Sequence, residues 1–122
     1  ELILRNAADI LNPDISCIGG LVEMLEISKN AKTKNIFISP HYWNSMSVSA
    51  AAMIHVCSVM PNSEMAEIFI EHLEHSKDYC EAAFTIENDK LLSNKSPGLG
   101  IKIDEKNLSD LSDHIFEAKL NG

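Results

Sequence analysis

Hydrophobic positions along this chain alternate between short unbroken runs and longer stretches at helical spacing. Leu2, Ile3, Leu4, Ala7 and Ala8 suit the end of a helix. Ile10 and Leu11 then form a brief apolar run stopped by Asn12-Pro13-Asp14, where the proline holds its predecessor in extended geometry. Gly19-Gly20 marks a sharp bend. Beyond it, Leu21, Val22 and Leu25 alternate with Glu23, Glu26 and Lys29, which predicts a helix from Leu21 to Lys32 with those three apolar residues on one face. Ile36-Phe37-Ile38 reads as a strand buried on both sides and ended by Ser39-Pro40-His41. An Ala-rich stretch from Ser47 to Met60 predicts a second helix, with Pro61-Asn62 as its stop. Met65 to Ile70 is a third candidate strand.

Strands separated by helices of this length imply βαβ units and a parallel sheet. Ile10 to Asn12, Ile36 to Ile38 and about Met65 to Ile68 are therefore expected to be parallel neighbours, with both helices on one side. The pattern changes after Glu71. Phe84-Thr85-Ile86 and Leu91-Leu92, around Glu87-Asn88-Asp89-Lys90, predict a hairpin. Pro97-Gly98-Leu99-Gly100 and Ile101-Lys102-Ile103 follow. Asn107 is expected to cap a last helix in which Leu108, Leu111, Ile115 and Phe116 share a face.

Composition narrows the function classes. Ten Lys and Arg against 18 Asp and Glu leave a net charge of −8 over 122 residues, with the cations scattered, which argues against nucleic-acid binding. Hydrophobic residues at 45% suit a folded domain. The longest apolar stretch, Val48 to Val59, is far short of a bilayer span, so no membrane partner is expected. Cys17, Cys57 and Cys80 are odd in number and form no C-x-x-C, which points to a reducing, cytoplasmic compartment. The chain begins with Glu1 in what reads as mid-helix, so the true start is expected upstream.

In parallel α/β architectures chemistry gathers at the carboxyl ends of strands. Those positions hold Asp14, His41 and Glu67. An acid bonded to one imidazole nitrogen sets the tautomer and raises the basicity of the other, which suits general acid–base work. Taken singly, each also has a plainer reading. Asp14 could be a turn or cap residue, His41 a hydrogen-bonded loop histidine, and Glu67 a solvated loop acid.

Asn12-Pro13-Asp14, Gly19-Gly20, Ser39-Pro40-His41, Pro61-Asn62, Glu67 and Pro97-Gly98-Leu99-Gly100 together resemble the carboxyl-terminal part of the enolase superfamily, in particular its mandelate racemase / muconate lactonizing enzyme-like branch. The 27-residue separation of Asp14 and His41, with the glycine pair between them, is the specific signal. In the muconate-lactonizing subgroup a lysine would serve as base near the end of the sixth strand, so Asp14 points to the mandelate racemase subgroup. The resemblance implies an α/β fold, the last three strands and helices of a modified (β/α)7β TIM barrel, with residues 1–83 in the barrel. Residues 84–122 would be a hairpin and helix returning to an α+β capping domain. The cap, the first part of the barrel and the metal-ligating carboxylates would fall before Glu1, leaving no metal ligand in this chain, which alone would be inactive. A whole barrel takes about 250 residues.

The resemblance further implies a Mg²⁺-dependent lyase or isomerase that removes the proton α to a carboxylate. His41 would be the base or acid, Asp14 its orienting partner, and Glu67 an acid hydrogen-bonded to the substrate carboxylate. An acid-sugar dehydratase is favoured over a racemase or epimerase, and a homo-oligomer is expected. The alternative is a non-catalytic half-barrel acting only as a structural or pairing module.

Tyr42 and Trp43, directly after His41, could line the substrate pocket or pack the barrel mouth. Glu71-His72-Leu73-Glu74-His75 with Cys80 nearby invites a metal reading, but its histidines stand three apart where a helical zinc motif needs four; a solvated polar segment is the simpler expectation. His55, on an apolar helix, is expected to be structural.

Overall fold

The computed structural model describes residues 1–43, 47–81 and 84–110. A short helix α1 (Leu2–Arg5) ends at Asn6, whose left-handed conformation lets the chain turn into β1 (Ile10–Leu11). Helix α2 (Leu21–Lys32) then leads to β2 (Phe37–Ile38), and β1 and β2 pair in parallel, Ile10 opposite Phe37 and Leu11 opposite Ile38. Helix α2 has the expected bounds because Gly20 opens it at φ 99° and ψ −160°, a conformation open to glycine and closed to L side chains.

Its buried face differs from expectation. Met24, Ser28 and Ala31 form the buried stripe at i, i+4, i+7, whereas Leu21 and Val22 are exposed and Leu25 is half-buried. The polar Ser28 can sit there because its hydroxyl donates to Asn62 Oδ1 at 2.5 Å. Asn62 is itself buried, and its Nδ2 donates to the Ile36 carbonyl at 2.7 Å. A buried polar pair of this kind is tolerated only when satisfied.

Helix α3 (Ser47–Cys57) is shorter than the expected stretch to Met60; the last residues continue as turns that return Ser58 and Met60 N–H groups to Ile54 and Val56. Ala50, Ala51, Met53, Ile54 and Val56 are buried on several sides of it, against α2 and in one core with Met24, Ile36 and Ile38. The small alanines let the helix sit close, and each fully buried Met or Ile contributes about 1.5–3 kcal/mol. His55 is structural, as expected: its Nε2 lies 3.2 Å from the Leu99 carbonyl.

β2 is central. Its Phe37 and Ser39 N–H groups donate to Asp9 and Leu11 on the β1 side, while Ile38 N–H donates to Asn62 on the other. The third segment does run parallel there, but it is not the strand Met65–Ile70. It makes one bridge, Ser63 with Ile38, and one later bond, Glu67 N–H to the Pro40 carbonyl at 3.0 Å. Pro40 has no N–H to return, so the ladder is interrupted and four steps from Ser63 to Glu67 span two from Ile38 to Pro40. Ile70 instead begins helix α4 (Ile70–Ser76).

The hairpin forms as expected, β3 (Phe84–Glu87) antiparallel to β4 (Lys90–Ser93). Asn88 and Asp89 both have positive φ, the two-residue turn whose twist matches the strands. Gly100 is required where it stands: a Cβ there would lie on the Asn94 carboxamide, which bonds Ser96 N–H and the Gly100 carbonyl. Asp104, not Asn107, caps α5 (Glu105–Asp110), because its Oδ1 accepts the Asn107 N–H at 3.0 Å; the Asn107 side chain donates to Asp78 instead. Leu111, Ile115 and Phe116 lie outside the described residues. No helix among the described residues is long and apolar enough to cross a membrane.

Candidate active site at the strand ends

Asp14 and His41 face each other because the pairing of β1 with β2 continues past both prolines. His41 N–H donates to the Pro13 carbonyl at 3.0 Å, and Asp14 and His41 form a parallel bridge. Their side chains meet with His41 Nδ1 2.9 Å from Asp14 Oδ2. The other oxygen, Oδ1, accepts the Ser16 N–H at 2.8 Å, and the Ser16 hydroxyl lies 2.7 Å from that of Ser49 on α3. Burial is the largest single influence on the Asp14 carboxyl and pushes its pKa up. The bonds from His41 and from Ser16, with the attraction of the His41 charge, outweigh burial and hold it below the ordinary 3.8.

Ionised Asp14 can only accept a hydrogen bond, so Nδ1 carries a proton, and in the neutral ring Nε2 presents a lone pair. Glu67 stands on that side, Oε1 4.0 Å from His41 Nε2, placed there by its own N–H bond to Pro40. The side chains are graded in exposure: Asp14 is 10% exposed, His41 31% and Glu67 48%. An anchored acid, an accessible imidazole and an open second acid can together take and return a proton from a molecule lying over the strand ends.

The two aromatic residues after His41 part company. Successive side chains of an extended segment point to opposite sides, so His41 and Trp43 face outward and Tyr42 faces inward. Tyr42 is 1% exposed within the core, which removes it from the expected pocket lining. Burial, with a smaller effect of Tyr79, pushes its hydroxyl pKa up, and that hydroxyl meets no hydrogen-bond partner among the described residues. Trp43 is 56% exposed and stacks on Phe69, ring centroids 4.5 Å apart, with His72 4.5 Å beyond Phe69. His72 is thus part of an aromatic stack, while His75 is exposed. Among the described residues no three His, Cys, Asp or Glu side chains converge as a metal site. The three cysteines are free thiols. A cavity of about 160 Å³ between α4 and β3, lined by Leu73, Cys80, Phe84 and Ile86, is mostly apolar and holds none of the three strand-end groups.

One neighbour escaped the sequence reading. Asn12 Nδ2 donates to the Ser39 carbonyl at 2.5 Å and lies 3.4 Å from Glu67 Oε2. Its signal was present, two residues before Asp14 in the strand-ending Asn-Pro-Asp, but an asparagine before proline reads first as a turn residue.

Fold and site define a parallel α/β segment that brings an acid, an imidazole and a second acid together beyond the ends of β1 and β2. The family of enolase C-terminal domain-like proteins matches residues 1–107, and the chain belongs to that family. Its architecture is therefore the carboxyl-terminal part of an enolase-superfamily TIM barrel. Among curated relatives, arabinonate dehydratase of Saccharolobus solfataricus is 28% identical over 103 residues, 84% of this chain and 27% of that protein. D-galactonate dehydratase of Ralstonia nicotianae is 31% identical over 102 residues, 79% of this chain and 26% of that protein. An enolase from the environmental genome shotgun sequencing of the Sargasso Sea superposes with a TM-score of 0.88 at 60% identity, covering 93% of this chain and 30% of that one. The chain thus spans little more than a quarter of the length of these curated relatives.

Proposed function

We propose that this chain supplies the proton-transfer side of an acid-sugar dehydratase, in which His41 Nε2 removes the proton α to the substrate carboxylate or protonates the departing hydroxyl. The observation that carries the reading is the 2.9 Å contact of His41 Nδ1 with an Asp14 whose carboxyl is held ionised. That contact fixes the tautomer in which the outward nitrogen is basic, and an imidazolium formed there gains a countercharge in direct contact. Glu67 acts on the substrate carboxylate as a protonated hydrogen-bond donor, since a carboxylic acid facing an anion serves only while it holds a proton. Trp43 flanks the bound molecule.

Dehydratase chemistry is favoured over racemisation by the relatives, whose names are those of arabinonate and D-galactonate dehydratases. The family cofactor is Mg²⁺. No step here is routed through it. Residues 84–122 serve as the tail returning to a capping domain, in a homo-oligomer of a cytoplasmic enzyme. The test is α-proton exchange in deuterated water with acid-sugar carboxylates, using the intact protein and its His41→Asn variant. Exchange that vanishes in the variant while metal binding persists supports the assignment; near-normal exchange in the variant rejects it.

A further inference from the structure

We propose that Asn12 is a positioning residue that decides which oxygen of Glu67 is available on the His41 side, a role that rests on the acid–base reading above. The Asn12 amide nitrogen carries two hydrogens and no lone pair to offer, so it only donates. One hydrogen is committed to the Ser39 carbonyl at 2.5 Å, which anchors the side chain across β1 and β2. The other is directed at Glu67 Oε2, 3.4 Å away. Asn12 therefore ties together all three parallel segments at the level of the site.

The consequence follows from the two oxygens of one carboxyl. Oε2 accepts from Asn12, and a carbonyl oxygen accepts better than an acid hydroxyl, so when Glu67 holds a proton Asn12 favours that proton on Oε1. Oε1 is the oxygen nearer His41, and at 4.0 Å it is too far from Nε2 for a direct hydrogen bond. It is thus free to donate to a third group. Asp14 leaves a lone pair on Nε2; Asn12 leaves a proton on Oε1. A molecule over the strand ends would meet an acceptor and a donor side by side, each set by a partner just past β1. Glu67 needs such a guide more than Asp14 does, because it is 48% exposed and its side chain has no other hydrogen-bond donor among the described residues.

The contact and the role are tested separately in the intact protein. With ¹⁵N-labelled asparagine, the Asn12 side-chain amide signal, assigned by its loss in Asn12→Asp, should shift in both Glu67→Gln and Glu67→Ala and stay in place in Glu64→Gln. An Asn12 signal unmoved by Glu67→Ala overturns the proposal. For turnover of an acid-sugar carboxylate, Asn12→Asp keeps the shape but removes the donor. It should lower kcat about 10–100-fold, less than the ~10²–10⁴ attributed to an acid–base group itself, with KM within about twofold. Asn12→Gln, which keeps a donating amide, should recover most of that loss. Unchanged kcat in Asn12→Asp, or a loss confined to KM, overturns the role. If the unsubstituted protein exchanges no α-proton with any acid-sugar carboxylate, the acid–base reading and the role fall together, and the amide signal still decides the contact.

Discussion

The two carboxylates beside His41 are held in opposite ways. Asp14 is 10% exposed, bonded to His41 through one oxygen and to the Ser16 N–H through the other, on a segment paired to its neighbour on both sides of Pro13. Glu67 is 48% exposed, on a segment that meets β2 at the Asn62–Ser63 bridge and then bonds the Pro40 carbonyl through its own N–H, with a single 3.4 Å amide contact to its side chain. The difference teaches a division of labour. A group that fixes a tautomer must not move or change charge, whereas one that meets a ligand must be reachable and able to hold or release a proton.

The largest blow to this comparison is removal of the imidazole that both acids serve. His41→Asn should abolish α-proton exchange in the intact protein while leaving the circular dichroism spectrum and Mg²⁺ binding in place. Next, Asp14→Asn should keep the fold but cost about 10²–10⁴ in rate, because an amide can present either hydrogen or oxygen to Nδ1 and no longer enforces one tautomer. Steady-state kinetics on folded variant will show it; a loss below tenfold would mean that Asp14 only shapes the turn. Glu67→Gln should cost less, about 10²–10³, since the amide still donates but cannot adjust its proton. Should Glu67→Gln prove worse than Asp14→Asn, the division of labour is reversed.

Two smaller effects sharpen the contrast through stability. Asn62 pins the start of the Glu67 segment to α2 and β2, so Asn62→Ala should lower urea-unfolding stability by about 2–3 kcal/mol by stranding the Ser28 hydroxyl and the Ile36 carbonyl. The Asp14 pKa is lower folded than unfolded, so below the ordinary 3.8 the unfolded chain binds the proton first. The stabilisation from its ionised contacts is complete above that value and drains away as pH falls through the folded pKa. The stability gap between the unsubstituted protein and Asp14→Asn should therefore shrink as pH falls from about 5 to below 4. A gap that widened over that range would reverse the sign.

What the sequence by itself determined is what depends on near neighbours. The glycine pair opens α2, Asn88-Asp89 closes the hairpin, and Pro61 follows the end of α3, each through backbone preferences of one or two residues. The placement of Asp14 and His41 was legible for a related reason: a residue just past a strand lies at that strand's end however the strand is packed, whereas Glu67, inside the expected third strand, is held by its N–H bond to the Pro40 carbonyl. Tertiary structure alone decided which sides are inside. Leu21 and Val22 lost the buried face of α2 to Met24 and Ser28, because Ser28 found Asn62, 34 residues away, to satisfy its hydroxyl. Tyr42 turned inward because the register that sends His41 outward leaves the next residue no other side. The expected third strand shrank to a bridge because Pro40, on a different segment, has no N–H to give it. Asn12 became part of the site only when β1, β2 and the Glu67 segment were brought together, since its partners stand 27 and 55 residues further along the chain.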